Sequence, residues 1–210
     1  MTLREALAAC PLVAILRGVT PAEITDVADV LFEAGFRIIE VPLNSPDPFA
    51  SIGKLAKSHG ERALIGAGTV LEPEQCRRLA DVGGRLMVAP NYAPDVVAEA
   101  QASGLATLPG VATPSEAFAA LRQGADALKL FPAEAMEPRA LKAWRSVMPK
   151  DALLLPVGGI DTTTMAPWCQ AGASGFGLGS SLYRPGISLD QLAEKARGLV
   201  AAARTAFPAG

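Results

Sequence analysis

Short apolar runs alternate with longer amphipathic stretches along the chain. The runs are rich in Val, Ile, Leu and Ala, and most stop at glycine or proline, as strands buried on both faces do. They predict strands at 12–16, 36–41, 63–68, 85–89, 105–108, 127–131, 152–157 and 175–178. The intervening stretches carry helix signals. Thr20-Pro21-Ala22-Glu23 and Thr113-Pro114-Ser115-Glu116 each offer a capping threonine, a first-turn proline and a glutamate three residues on. Glu72-Pro73-Glu74 opens another helix, and Gly35, Gly104, Gly124 and Gly172 stand where helices should close. The predicted helices are 2–9, 20–35, 46–58, 72–84, 92–103, 113–124, 137–147, 162–171 and 189–206.

Strand-then-helix units thus recur at a period of roughly 20–25 residues, the alternation of a parallel sheet. Eight units favour a closed (β/α)8 TIM barrel with a short N-terminal helix, one domain over residues 1–210. The alternative is an open doubly wound sheet. Against it, Arg17-Gly18-Val19-Thr20 follows the first strand where a G-x-G-x-x-G turn would be needed.

Composition narrows the function classes. Half of the 210 residues are hydrophobic and 19% are charged, enough apolar material for a large core. A net charge of −2 carries no electrostatic footprint for nucleic acid. Cys10, Cys76 and Cys169 are scattered, which argues against a disulfide framework or a thiolate metal site. No run is long enough to span a membrane and no signal peptide opens the chain, so a cytoplasmic protein is expected. The single histidine, His59, is expected at an exposed helix end.

In a barrel of this kind chemistry sits at the C-terminal ends of the strands. Lys129 lies inside the sixth apolar run, where a charge is costly unless something pairs or uses it. It is either a lysine snorkelling to water or an amine kept neutral so that it can attack a carbonyl. Alternation puts Ala127, Lys129 and Phe131 on one face, and Ile38, Glu40 and Pro42 on one face of strand two. Lys129 and Glu40 are therefore expected to point into the barrel. Arg17 shares a face with Val13 and Ile15, and Thr69 with Ile65 and Ala67. Gly158-Gly159 and Gly179-Ser180 follow the last two strands, the usual place for a phosphate in this fold. A structural Glu–Lys pair and plain tight turns are the alternatives, but they leave Arg17 and Thr69 unexplained.

Four stretches carry a family resemblance: Ile39-Glu40-Val41-Pro42-Leu43, Gly66-Ala67-Gly68-Thr69-Val70-Leu71, Leu128-Lys129-Leu130-Phe131-Pro132-Ala133-Glu134 and Pro156-Val157-Gly158-Gly159-Ile160. Through them the chain resembles the bacterial class I aldolases that cleave 2-keto-3-deoxy-6-phosphosugar acids. The resemblance implies a (β/α)8 barrel, a homotrimer, no cofactor and no metal. It makes Lys129 the Schiff-base lysine and Glu40 the general acid/base. Arg17 and Thr69 would bind the substrate carboxylate, and Gly158, Gly159, Gly179 and Ser180 the phosphate. Pro42-Leu43-Asn44-Ser45 replaces the gluconate branch's Thr-Leu-Arg-Thr, and Val157 replaces a threonine. Both differences resemble the galactonate branch, with Val157 facing the C4 centre. The expected reaction converts 2-dehydro-3-deoxy-6-phospho-D-galactonate to pyruvate and D-glyceraldehyde 3-phosphate. Alternatives are the gluconate epimer, dual activity, a metal-dependent lyase and a non-catalytic sugar-phosphate sensor. The expected partners are these small molecules, with no nucleic acid and no membrane.

Overall fold

The computed structural model describes residues 1–207. Its strands are β1 (Leu12–Ile15), β2 (Ile38–Pro42), β3 (Leu64–Gly68), β4 (Leu86–Val88), β5 (Ala106–Leu108), β6 (Gly110–Val111), β7 (Leu128–Leu130), β8 (Leu154–Pro156) and β9 (Phe176–Leu178). The helices are α1 (Leu3–Ala9), α2 (Ile24–Ala34), α3 (Pro48–His59), α4 (Pro73–Asp81), α5 (Pro94–Ala102), α6 (Pro114–Arg122), α7 (Pro138–Arg145), α8 (Met165–Gln170) and α9 (Leu189–Ala206).

The alternation is as the sequence predicts, and the strand pairs are parallel. The closed eight-stranded barrel is not what forms. The strands divide into a curled six-stranded sheet, ordered β5-β4-β3-β2-β1-β9, and a three-stranded sheet, β6-β7-β8. The split has a local cause. Pro109 has no N–H for a ladder, so the fifth predicted strand stops there. Gly110–Val111 then pairs with β7. One seam is crossed by the Ala127 N–H donating to the Thr107 carbonyl at 3.2 Å. At the other, Val157 and Gly177 form a lone bridge just beyond Pro156, where β8 ends.

Side-chain alternation sorts the core into two layers. Leu12, Ala14, Ile39, Val41, Ile65, Ala67, Leu128 and Leu130 belong to the outer layer, packed with the helices. Val13, Ile38, Leu64, Leu86, Leu108, Ala127 and Leu155 form an inner layer, closed from below by Leu3, Ala6 and Leu7 of α1. That plug is fixed by a capping box: the Glu5 N–H donates to Thr2 Oγ1 at 3.2 Å, and the Thr2 N–H to Glu5 Oε2 at 2.8 Å. The inner layer is a dry apolar floor. Anything polar placed just above it is desolvated.

Two local expectations need correction. The Thr20 signal builds a turn rather than a helix start: Glu23 Oε1 accepts from the Thr20 N–H and hydroxyl, both at 3.0 Å, and α2 begins at Ile24. His59 does end α3, but it is 2% exposed, with Nε2 at 2.9 Å from Asp29 Oδ1 and Nδ1 at 2.7 Å from Ser58 Oγ. Its sequence neighbours are polar, yet its ring packs edge-on against Phe32 from α2.

Candidate active site

Glu40 and Lys129 stand on the apolar floor. Each follows one inner-layer residue by two positions, Ile38 on β2 and Ala127 before β7. Glu40 is 1% exposed and Lys129 is 6% exposed. Glu40 pairs in register with Gly66, and Pro42 with Gly68. The glycines have a steric reason. A Cβ on Gly68 would lie 2.0 Å from Glu40 Oε2, so the carboxyl group occupies the space a side chain would take. A Cβ on Gly66 would strike the Leu86 carbonyl oxygen at 2.1 Å.

The electrostatics follow from that burial. Desolvation raises the Glu40 carboxyl to about 7, against the opposing pull of Lys129 and Arg17. Desolvation also lowers the Lys129 amine below 10.5; Glu40 works against this and Arg17 adds to it. Glu40 Oε2 has no hydrogen-bond partner. Among the described residues the lysine and arginine side chains within 4 Å of a carboxylate are Arg77 with Glu99 and Arg139 with Glu137, so Glu40 and Lys129 close no ion pair. Lys129 Nζ lies 4.7 Å from the Phe131 ring centroid. A carboxyl that titrates near neutrality can give and take a proton at working pH, and a desolvated amine is closer to its nucleophilic form.

A cavity of about 900 Å³ opens above Lys129. Its wall brings together Arg17, Lys129, Val157, Gly158, Gly159, Gly179 and Ser180 of the predicted residues. Gly158 and Gly159 take left-handed φ values of +110° and +65°. The left-handed φ favours glycine at position 158, and a Cβ there would also lie 2.6 Å from Glu134 Oε2 and push that exposed carboxylate aside. After β9, the Leu182 and Tyr183 N–H groups both donate to the Gly179 carbonyl at 2.9 Å. That single helical turn leaves the Ser180 and Ser181 N–H groups without a helical acceptor, the arrangement that suits an anion.

Glu40 and Thr69 do not line the cavity wall. Glu40 is buried just behind the wall, within electrostatic reach of Lys129 and Arg17. Thr69 follows β3, and the face it was expected to share with Ile65 and Ala67 packs outward against the helices. Thr69 itself has φ +57°, a left-handed conformation unusual for a β-branched residue, so strand alternation ends before it. The cavity also includes Glu134, Asp161, Tyr183 and Arg184, for which sequence reasoning assigned no role. Hydrogen bonds from Thr163 and Thr164 hold the Asp161 carboxyl below its usual value, as in a helix-start cap. Burial and the neighbouring Glu23 push the Tyr183 hydroxyl up to about 12. The signal for Arg184 was its place four residues after Ser180, on the turn already read as an anion site.

At the cavity mouth Arg17 is exposed, and its Nη1 donates to Asn44 Oδ1 at 2.5 Å. The site thus joins a desolvated amine, a carboxyl near neutrality, one arginine at the β1 end and two amide-rich turns with a second arginine at the β8–β9 end. Such a set suits an elongated ligand with a carbonyl between two anionic groups.

Comparison with known proteins agrees with that chemistry. The family model for KDPG and KHG aldolases matches residues 3–194. A probable 2-dehydro-3-deoxy-6-phosphogalactonate aldolase of Rhizobium meliloti (strain 1021) is 50% identical over 192 residues, covering 91% of each chain. The 2-dehydro-3-deoxy-6-phosphogalactonate aldolase of Escherichia coli (strain K12) is 46% identical over 93% of this chain and 96% of its own. A solved structure described as native KDPGal superposes with a TM-score of 0.93 at 45% identity, over 95% of this chain and 97% of that one. With the match spanning nearly the whole length and the amine–carboxyl pair in place, the chain belongs to the KDPG and KHG aldolase family.

Proposed function

We propose that this protein is a class I, Schiff-base aldolase that cleaves 2-dehydro-3-deoxy-6-phospho-D-galactonate to pyruvate and D-glyceraldehyde 3-phosphate. The observation that carries the reading is the Lys129–Glu40 pair: a buried amine lowered from its usual range beside a buried carboxyl raised to about 7. The two relatives quoted carry the same substrate in their names.

Neutral Lys129 attacks the C2 ketone and forms a carbinolamine. Loss of water, with Glu40 passing the proton, yields a protonated Schiff base. That iminium is the electron sink. Glu40 then takes the proton of the C4 hydroxyl, the C3–C4 bond breaks, and its electron pair flows to the nitrogen as an enamine. D-glyceraldehyde 3-phosphate leaves as the aldehyde. Protonation at C3 and attack of water release pyruvate and restore Lys129. Arg17 holds the carboxylate by charge-assisted hydrogen bonds. The Gly158-Gly159 and Gly179-Ser180 turns hold the phosphate, with Arg184 supplying charge. Val157, 6% exposed on the wall, presents methyl groups toward C4 and disfavours a hydroxyl that needs a partner there. The family resemblance adds a homotrimer in the cytoplasm to this reading, and sedimentation equilibrium tests the trimer.

The deciding experiment has two arms, both in EDTA. Borohydride with pyruvate should fix a covalent adduct on Lys129, and Lys129→Ala should lose it. A coupled assay of pyruvate release from both C4 epimers should favour the galactonate-derived one. Normal turnover by Lys129→Ala would refute the mechanism, and equal rates would refute the role of Val157.

A further inference from the structure

We propose that Asn44 is a positioning residue: it holds the Arg17 guanidinium in place while leaving its charge free for the substrate carboxylate. The inference rests on the reading of Arg17 given above and goes one layer beyond it.

The Arg17 turn is pinned on two sides. On one, the Gly18 N–H donates to Ser45 Oγ at 3.0 Å. On the other, the turn lies so close to Pro185 that a Cβ on Gly18, at φ +84°, would fall 2.7 Å from Pro185 Cγ. Backbone pinning alone does not orient a long side chain with many rotamers. The side chain is oriented by Asn44, whose Oδ1 accepts from Arg17 Nη1. Asn44 and Ser45 belong to the Pro42-Leu43-Asn44-Ser45 segment after β2, itself folded by the Ser45 N–H donating to the Pro42 carbonyl at 2.9 Å. One short segment therefore fixes both the backbone and the head group of Arg17.

The chemistry of the partner is the informative part. An amide oxygen takes one of the guanidinium's five N–H groups and adds no negative charge. Among the described residues, no ion pair within 4 Å involves Arg17. A carboxylate at position 44 would instead pair with the guanidinium, bidentately if it could, and compete with the incoming ligand. Asparagine orients without neutralising.

Pyruvate isolates this end of the site because its carboxylate is its only anion. The test measures borohydride trapping on Lys129 against pyruvate concentration for the wild type, Asn44→Ala, Asn44→Asp and Arg17→Ala. Asn44→Ala should raise the half-saturating pyruvate concentration roughly three- to tenfold, with the trapping rate at saturation near wild type. Asn44→Asp, nearly the same shape, should raise it further. A merely structural loop contact would not rank Asp below Ala. The proposal is overturned if Asn44→Ala is unchanged, if Asp binds as well as Ala, or if only the saturating rate falls. No trapping in the wild type would instead overturn the aldolase reading, and unchanged saturation in Arg17→Ala the role of Arg17; either takes this proposal with it.

Discussion

Replacing Glu40 with glutamine should make the protein more stable while removing most of its activity. Burial raises this carboxyl from 4.5 to about 7. Between those values the folded protein keeps a proton that the unfolded chain releases. The group's contribution to stability is therefore full below 4.5, declines as pH rises, and is lost above about 7. At about 1.4 kcal/mol per unit of pKa difference, the ionised carboxylate costs the fold roughly 3 kcal/mol near pH 8. That figure already contains the opposing attraction of Lys129 and Arg17. Glutamine keeps the size and polarity of the neutral acid without the charge. Glu40→Gln should thus gain up to roughly 3 kcal/mol near pH 8, a large share of a typical total of about 5–15 kcal/mol. The gain should shrink toward zero near pH 4.5. Urea unfolding at fixed protein concentration across this pH range reads it as a shift in midpoint. Turnover should fall about 10²- to 10⁴-fold, the usual worth of a positioned acid–base group. A variant no more stable than wild type near pH 8, or one whose advantage persists in acid, would refute the account of Glu40 as a desolvated carboxyl.

Gly68→Ala should displace the Glu40 carboxyl, since its methyl would stand 2.0 Å from Oε2; kcat should fall by about 10²-fold while borohydride still reaches Lys129, read by turnover and adduct mass. Pyruvate trapping should accelerate as pH rises and Lys129 loses its proton, with a midpoint below 10.5; in Glu40→Gln the midpoint should move lower still, because the Glu40 charge is what raises it. Arg184→Gln should raise KM for the phosphorylated substrate about fivefold and leave an unphosphorylated analogue unchanged, a difference that steady-state kinetics on the two substrates reads directly.

Much of the site is local information. Lys129 and Glu40 were assigned inward from their immediate neighbours, because strand alternation has a period of two and each lies in an apolar run. The Thr113–Glu116 capping box was legible for the same reason, and Glu116 Oε2 does accept from the Thr113 N–H at 2.9 Å. Thr69 was misplaced because alternation holds only while the backbone is extended, and its φ of +57° ends it. His59 was read from its polar sequence neighbours, but Phe32 and Asp29 reach it from another helix. Arg184 and Asp161 went without a role although each follows an assigned turn by a few residues, because the backbone path of the loop decides whether such a side chain reaches the cavity wall.

The chain by itself determined the order of strands and helices, the face each strand buries, and which amine and which carboxyl stand buried on the inward face. These depend on periodicity, capping and the cost of a charge in an apolar run, all set within a few residues. Only the tertiary structure decided how the strands associate. Whether the fifth strand continues past Pro109 depends on which neighbour can offer a ladder, and Gly110–Val111 finds it in β7. Tertiary structure also decided how far the two titratable groups move from their ordinary values. Desolvation is a property of the whole surrounding volume: the apolar floor below, the missing side chain at Gly68 beside, and the distance at which Glu40 and Lys129 are held apart.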